Sequence, residues 1–284
     1  MKRILAVLWS DGDEATIATG AIALAKRFQG RAVGLVVRPP AGEFMPTGDF
    51  GMALSQDYIE KMQADAAQRA LRHRHAFEAA VAAAGLSAHP APGEAGAEYL
   101  EQDGAASTVI GTVGRVFDLL VIAKPQPKRS AETEILFETA LFETGRPVLM
   151  LPEGVAAPKP GGVVAIAWNG SEETARTIAL GLPLLAGADR VVVMEADGFG
   201  VPGPTAEDVA EYLSAHGFAT QVRHLTGISA AEDAGAAFLR EAATIGADLM
   251  IKGAYTQSRI RQLIFGGATR HILTNAGLPV LFAH

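Results

Sequence analysis

Short apolar, β-branched runs alternate along this chain with longer stretches whose apolar residues recur at helical spacing. The run "ILAVLWSDGDE" opens the pattern, and Ile17, Ala21, Leu24 and Phe28 follow it as one stripe. A second instance begins at "VVAIAWNGSEE", with Ile178, Leu182 and Leu185 as its stripe. In both, acids stand where the first helical turn would begin and so oppose the positive end of the helix dipole. Further strands are predicted at "RAVGLVVR", "RVVVMEA", "DLLVIA" and "DLMIKG", and further helices over about Gln56 to Ala84 and about Thr205 to His216. Apolar strands alternating with amphipathic helices predict a parallel sheet covered on both faces, with ligands at the carboxyl ends of its strands.

The pattern is written twice. Laid over one another without a gap, the two openings put Trp9 on Trp168 and Asp13-Glu14 on Glu172-Glu173. "FDLLVIAKP" likewise matches "ADLMIKGAY", and "GRPVLMLP" matches "GLPVLFAH". Two related domains, residues 1–151 and 162–284, are expected, joined by the linker-like "PEGVAAPKPGG" from Pro152 to Gly162. The last strand would present an unpaired edge, so the two halves are expected to pack as a pseudo-symmetric pair. A homodimer is a further option.

Composition narrows the classes. The 284 residues, 49% hydrophobic and 19% charged, suit one large or two ordinary globular domains. With no cysteine, disulfides, thiolate metal sites and thiol nucleophiles are excluded. The apolar run after Met1-Lys2-Arg3 is too short for a signal peptide and reads as a strand. No stretch approaches the roughly 20 apolar residues of a membrane span, which predicts a cytoplasmic protein without a membrane partner. A formal net charge of −7 argues against a nucleic-acid binder, so any anion site must be local.

One such site is suggested by "GAYTQSRIRQLIFGGATRH", directly after "DLMIK". Together with the doubled pattern, it resembles the universal stress proteins in their two-domain form. The resemblance implies two tandem Rossmann-like α/β/α sandwiches, each with a mainly parallel five-stranded sheet. For one branch of the family it also implies ATP, bound through Gly, two residues, Gly, nine residues, Gly and then Ser or Thr. Here Gly253 opens the motif, Thr256 stands at the second Gly, and Gly266-Gly267 closes it with the spacing kept.

In such a loop, glycines let backbone N–H groups approach the phosphates, and the next helix begins with free donors and partial positive charge. Gly266, Gly267, Ala268 and Thr269 would form that start, and Thr269 adds a hydroxyl. Arg259, Arg261 and Arg270 either add charge or are simply solvated. If the site of Thr256 needs a positive φ, its Cβ costs about 1–2 kcal/mol. Gly267 in place of a hydroxyl residue removes a charge-assisted hydrogen bond of about 1.5–3 kcal/mol. Where the family carries an Asp beside adenine and ribose, "AWNGSEE" has Asn169, two residues after Ala167. Asn169 either serves the nucleotide or only makes the turn with Gly170.

The first half departs further. Ser10 stands in the Asp position, Ala123 replaces the first Gly, and Pro125 and Pro127 remove donors, so no nucleotide is expected there. The resemblance thus implies a stress-linked regulator that binds an adenine nucleotide, ATP with or without Mg²⁺, in its second half. The alternative is a scaffold for a protein partner with both sites vestigial. No catalytic set and no metal-ligand set is legible, so hydrolysis of ATP would be very slow at most. Ser171 reads as an N-cap. His73 and His75 in "LRHRH" read as a solvated helix face, as does His271. Trp9 and Trp168, at strand ends, either stack on a base or pack the core rim. Residues Arg38 to Ser55 read as a surface loop, a lid or a partner contact.

Overall fold

In a computed structural model of the chain, which describes residues 1–9, 12–38, 56–91, 93–125, 131–254 and 267–284, the predicted alternation becomes ten strands and eight helices. Expectations for Ser10, the long loop, Pro127, Thr256, Arg259, Arg261 and Gly266 fall outside the described residues. The chain forms two compact units, Met1–Ala123 with Glu132–Thr144, and Lys124–Ala131 with Gly145–His284.

The first unit contains β1 (Arg3–Val7), α1 (Glu14–Phe28), β2 (Arg31–Arg38), α2 (Gln56–Ala84), β3 (Gly96–Asp103), α3 (Ala106–Val113), β4 (Leu119–Ala123) and α4 (Ala131–Glu143). Its strands run parallel in the order β3-β2-β1-β4. Helix α2 lies on β2 at Gly34, where an added Cβ would stand 2.7 Å from the Phe77 ring. One expectation is corrected here. His73 is not solvated but 2% exposed, because it falls three residues after Ala70 and four before Phe77, on the buried stripe of α2. His75, on another face, is exposed.

The second unit contains β5 (Val148–Leu151), β6 (Val163–Trp168), α5 (Glu172–Leu185), β7 (Arg190–Ala196), α6 (Ala206–Ala215), β8 (Thr220–Leu225), α7 (Ala231–Thr244), β9 (Ala247–Gly253), α8 (Gly267–Asn275) and β10 (Val280–Ala283). Five of its strands are parallel in the order β10-β9-β6-β7-β8. The last strand is not a bare edge: β5 pairs antiparallel with β10, Leu149 opposite Leu281. Right-handed crossovers put α5 and α6 on one face of this sheet and α7 and α8 on the other.

The two halves share a side-chain device as well as an element order. Asp118, at the head of "DLLVIA", accepts from the Arg3 backbone N–H at 3.0 Å. Asp248, at the head of "DLMIKG", accepts from that of Val163 at 2.9 Å. Each carboxylate ties down a strand-start donor that the sheet would leave unpaired.

Candidate site at the carboxyl ends of β6 and β9

From β6 the chain moves outward to β7 and β8, then returns to β9 on the other side. The strand order therefore reverses between β6 and β9, and the crevice outside their carboxyl ends is where open parallel sheets bind ligands. Ala167 and Asn169 stand at the end of β6, Gly253 at the end of β9, and α8 returns from that same end with Gly267, Ala268 and Thr269 in its first turn.

Each of these residues also has a packing duty. Ala167 is buried in the sheet opposite Met194 and offers backbone only. Asn169 Oδ1 accepts from the Thr174 hydroxyl at 2.7 Å, the Ser171 hydroxyl at 2.9 Å and the Ser171 N–H at 3.4 Å. Ser171 in turn caps α5, accepting from Thr174 N–H at 3.2 Å. The turn reading of Asn169 therefore describes its oxygen. Gly170 has φ +81°, and a Cβ there would stand 2.3 Å from Val201 O. The chain after β7 folds over this turn: Val201 N–H donates to Asn169 O (2.9 Å), and Trp168 Nε1 donates to Pro204 O (2.9 Å). Trp168, 2% exposed, packs and uses its polar handle here.

Gly253 is required by a close approach of helix and strand. A Cβ at Gly253 would lie 2.3 Å from Thr174 N and 2.7 Å from Glu173 C. Ala268 is fixed from the opposite layer: a Cβ on Gly235 of α7 would meet Ala268 O at 2.7 Å, so α7 and α8 cross at backbone contact. Thr269 is 5% exposed. Past β9, Ala254 N–H donates to Ala283 O (3.1 Å), and Ala254 O lies 3.1 Å from His284 Nδ1.

Two charged residues at this end escaped the sequence reading. Lys252 is 5% exposed and Glu173 8% exposed, at the ends of β9 and the start of α5. Lys252 Nζ donates to Gly253 O at 3.1 Å. Burial pushes the Lys252 ammonium down to about 8, while the Glu173 carboxylate acts to raise it. Glu173 Oε2 is buried and has no hydrogen-bond partner among the described residues. The available signal was a lysine inside an otherwise apolar strand, "DLMIKG", where a buried parallel strand offers no solvent for it.

In the first unit, the corresponding reversal between β1 and β4 holds an apolar crevice lined by Val7, Trp9, Ile122, Ala123, Thr133 and Leu136. Trp9 also borders a second crevice against α2, beside His73.

The fold thus defines an α/β protein whose parallel sheet has a topological switch point at the carboxyl ends of β6 and β9. No protein-family model matches the sequence, and no curated protein matches it. Solved structures do. A universal stress protein from Archaeoglobus fulgidus DSM 4304 matches over 99% of this chain and 95% of its own, with a TM-score of 0.63 at 16% identity. A functionally unknown protein from Pseudomonas aeruginosa PAO1 matches over 100% and 92%, with a TM-score of 0.56 at 15% identity. A protein assigned as a universal stress protein from Pseudomonas aeruginosa UCBPP-PA14 matches over 100% and 93%, with a TM-score of 0.55 at 15% identity. The chain has the universal stress protein fold. Among the described residues, no helix is long and apolar enough to cross a membrane.

Proposed function

We propose that the second unit binds an adenine nucleotide, ATP with Mg²⁺ in the first instance, at the β6/β9 end, and that the protein is a cytoplasmic, stress-linked regulator. The carrying observation is the start of α8. It opens on Gly267, Ala268 and Thr269 at the ligand end of a parallel sheet, with no acid in its first turn, whereas α5 and α6 each carry two. The first-turn N–H groups and the helix dipole there suit a phosphate. Gly253 and Asn169 border the same end, and Lys252 adds a cation beneath it.

The test is a thermal melt with ATP, ADP and AMP, each with Mg²⁺, on the wild type and on Gly267→Asp. An acid at this helix start suits the helix and repels a phosphate, so the variant should fold and lose the response. Ligand at 100 times its Kd should stabilise by about 2.7 kcal/mol, a shift of several degrees. No shift at millimolar ATP would overturn the reading.

A second reading, a partner-binding scaffold with vestigial sites, is favoured by the Asn169 oxygen. It is committed to Ser171 and Thr174, and the backbone at Val201 lies against Gly170. It predicts melts insensitive to every nucleotide.

A further inference from the structure

At the outer edge of the second unit's sheet, the parallel register sets Glu195 of β7 beside His224 of β8. The first turn of α6 brings Glu207 to the same place. His224 Nε2 lies 2.9 Å from Glu207 Oε1, and Nδ1 lies 3.5 Å from Glu195 Oε2. One ligand atom from each of the three residues lies within 4.8 Å of the others. The frame is well braced. Two paired strands hold Glu195 and His224, and a reciprocal capping box between Thr205 and Asp208 holds the turn that carries Glu207.

The charge balance points to a cation. Asp197 adds a third carboxylate to the field at His224. Among the described residues, neither Glu195 nor Glu207 pairs with a Lys or Arg. Arg223, the neighbouring residue on β8, is turned toward Glu241 of α7 at 3.8 Å, on the other face of the sheet. Two carboxylates therefore contact one imidazole, which carries at most a single positive charge.

We propose that this cluster is a binding site for a divalent transition-metal ion, with His224 Nε2 and the Glu207 carboxylate as ligands and Glu195 as the positioning residue. An imidazole–carboxylate set suits zinc, cobalt or nickel better than calcium or magnesium, which take oxygen ligands throughout. A metal on Nε2 would leave the ring proton on Nδ1, where Glu195 Oε2, 3.5 Å away, stands to receive it as the ring settles onto the ion. Water completes the coordination, because Glu207 and His224 lie at the surface, with side chains 60% and 45% exposed. The site is on β7, β8 and α6 and does not rest on nucleotide binding at α8.

The test is calorimetric titration of the nucleotide-free full chain with zinc chloride, on the wild type and on His224→Gln, Glu207→Gln and Glu195→Gln. All three positions are at or near the surface, and metal-free melts confirm that the variants fold. The wild type should bind one equivalent at micromolar zinc, and His224→Gln and Glu207→Gln should each abolish that equivalent. Glu195→Gln should weaken it about tenfold and change the His224 tautomer seen by nitrogen-15 NMR, which a merely structural role would not do. Zinc binding that survives in both ligand variants, or no binding by the wild type, would overturn the site.

Discussion

Lys252 is the residue whose environment departs furthest from its chemistry: a buried ammonium, held by one carbonyl and influenced by the Glu173 carboxylate. Its folded pKa, about 8, lies below its ordinary 10.5. Between those values the unfolded chain binds the proton that the folded chain has released, so stability rises with pH across that window and falls as pH drops toward 8. The full span corresponds to about 3 kcal/mol. Urea unfolding between pH 8 and 10.5 should show the rise in the wild type and a flatter profile in Lys252→Met. Parallel profiles would contradict the assignment. This residue also shows where the sequence was silent. "DLMIKG" announces a strand and an odd lysine, but only the packing of α5 against Gly253 shows that the lysine is buried. Asn169 was legible as a turn residue from Asn-Gly alone, whereas its three donors could not be counted before α5 was in place.

Helix starts are the elements that organise the carboxyl end of the second unit's sheet. α5 begins with its backbone against Gly253, so Gly253→Ala should destabilise by about 1–3 kcal/mol through overpacking, measured by chemical denaturation. A neutral result would show that the strand end can give way. Thr205→Ala should cost about 1 kcal/mol by opening the capping box of α6. It should also loosen Glu207 and so weaken zinc uptake. Element types and spans were the most legible feature of the chain. Gln56 to Ala84 and Thr205 to His216 follow from periodicity and caps, because apolar stripes and end signals are local. His73 was misread for the complementary reason. Its neighbours Arg72 and Arg74 are polar, and only its distance from Ala70 and Phe77 along the helix placed it on the buried stripe.

For the whole molecule, the repeated element order was legible from the matched tryptophans and strand motifs, since the same local pattern recurs twice. The division of the chain was less so. The sequence invites a cut at the Pro-Gly segment, residues 152–162, whereas β5 lies before that segment and pairs with β10 after it. A fragment of residues 162–284 would leave one edge of β10 bare, and a fragment of residues 145–284 would not. Light scattering should therefore find the shorter fragment self-associating and the longer one less so. Equal behaviour would mean that β5 contributes little to covering that edge.

That pairing also has a consequence in time. A ribosome adds roughly 5–20 residues each second, so for on the order of ten seconds after β5 emerges, β10 has not been made. During that interval the nascent chain carries Val148–Leu151, four apolar residues in a row, without the strand that later lies beside them. Nascent chains stalled just short of Val280 should therefore recruit a holdase chaperone that released full-length chains do not.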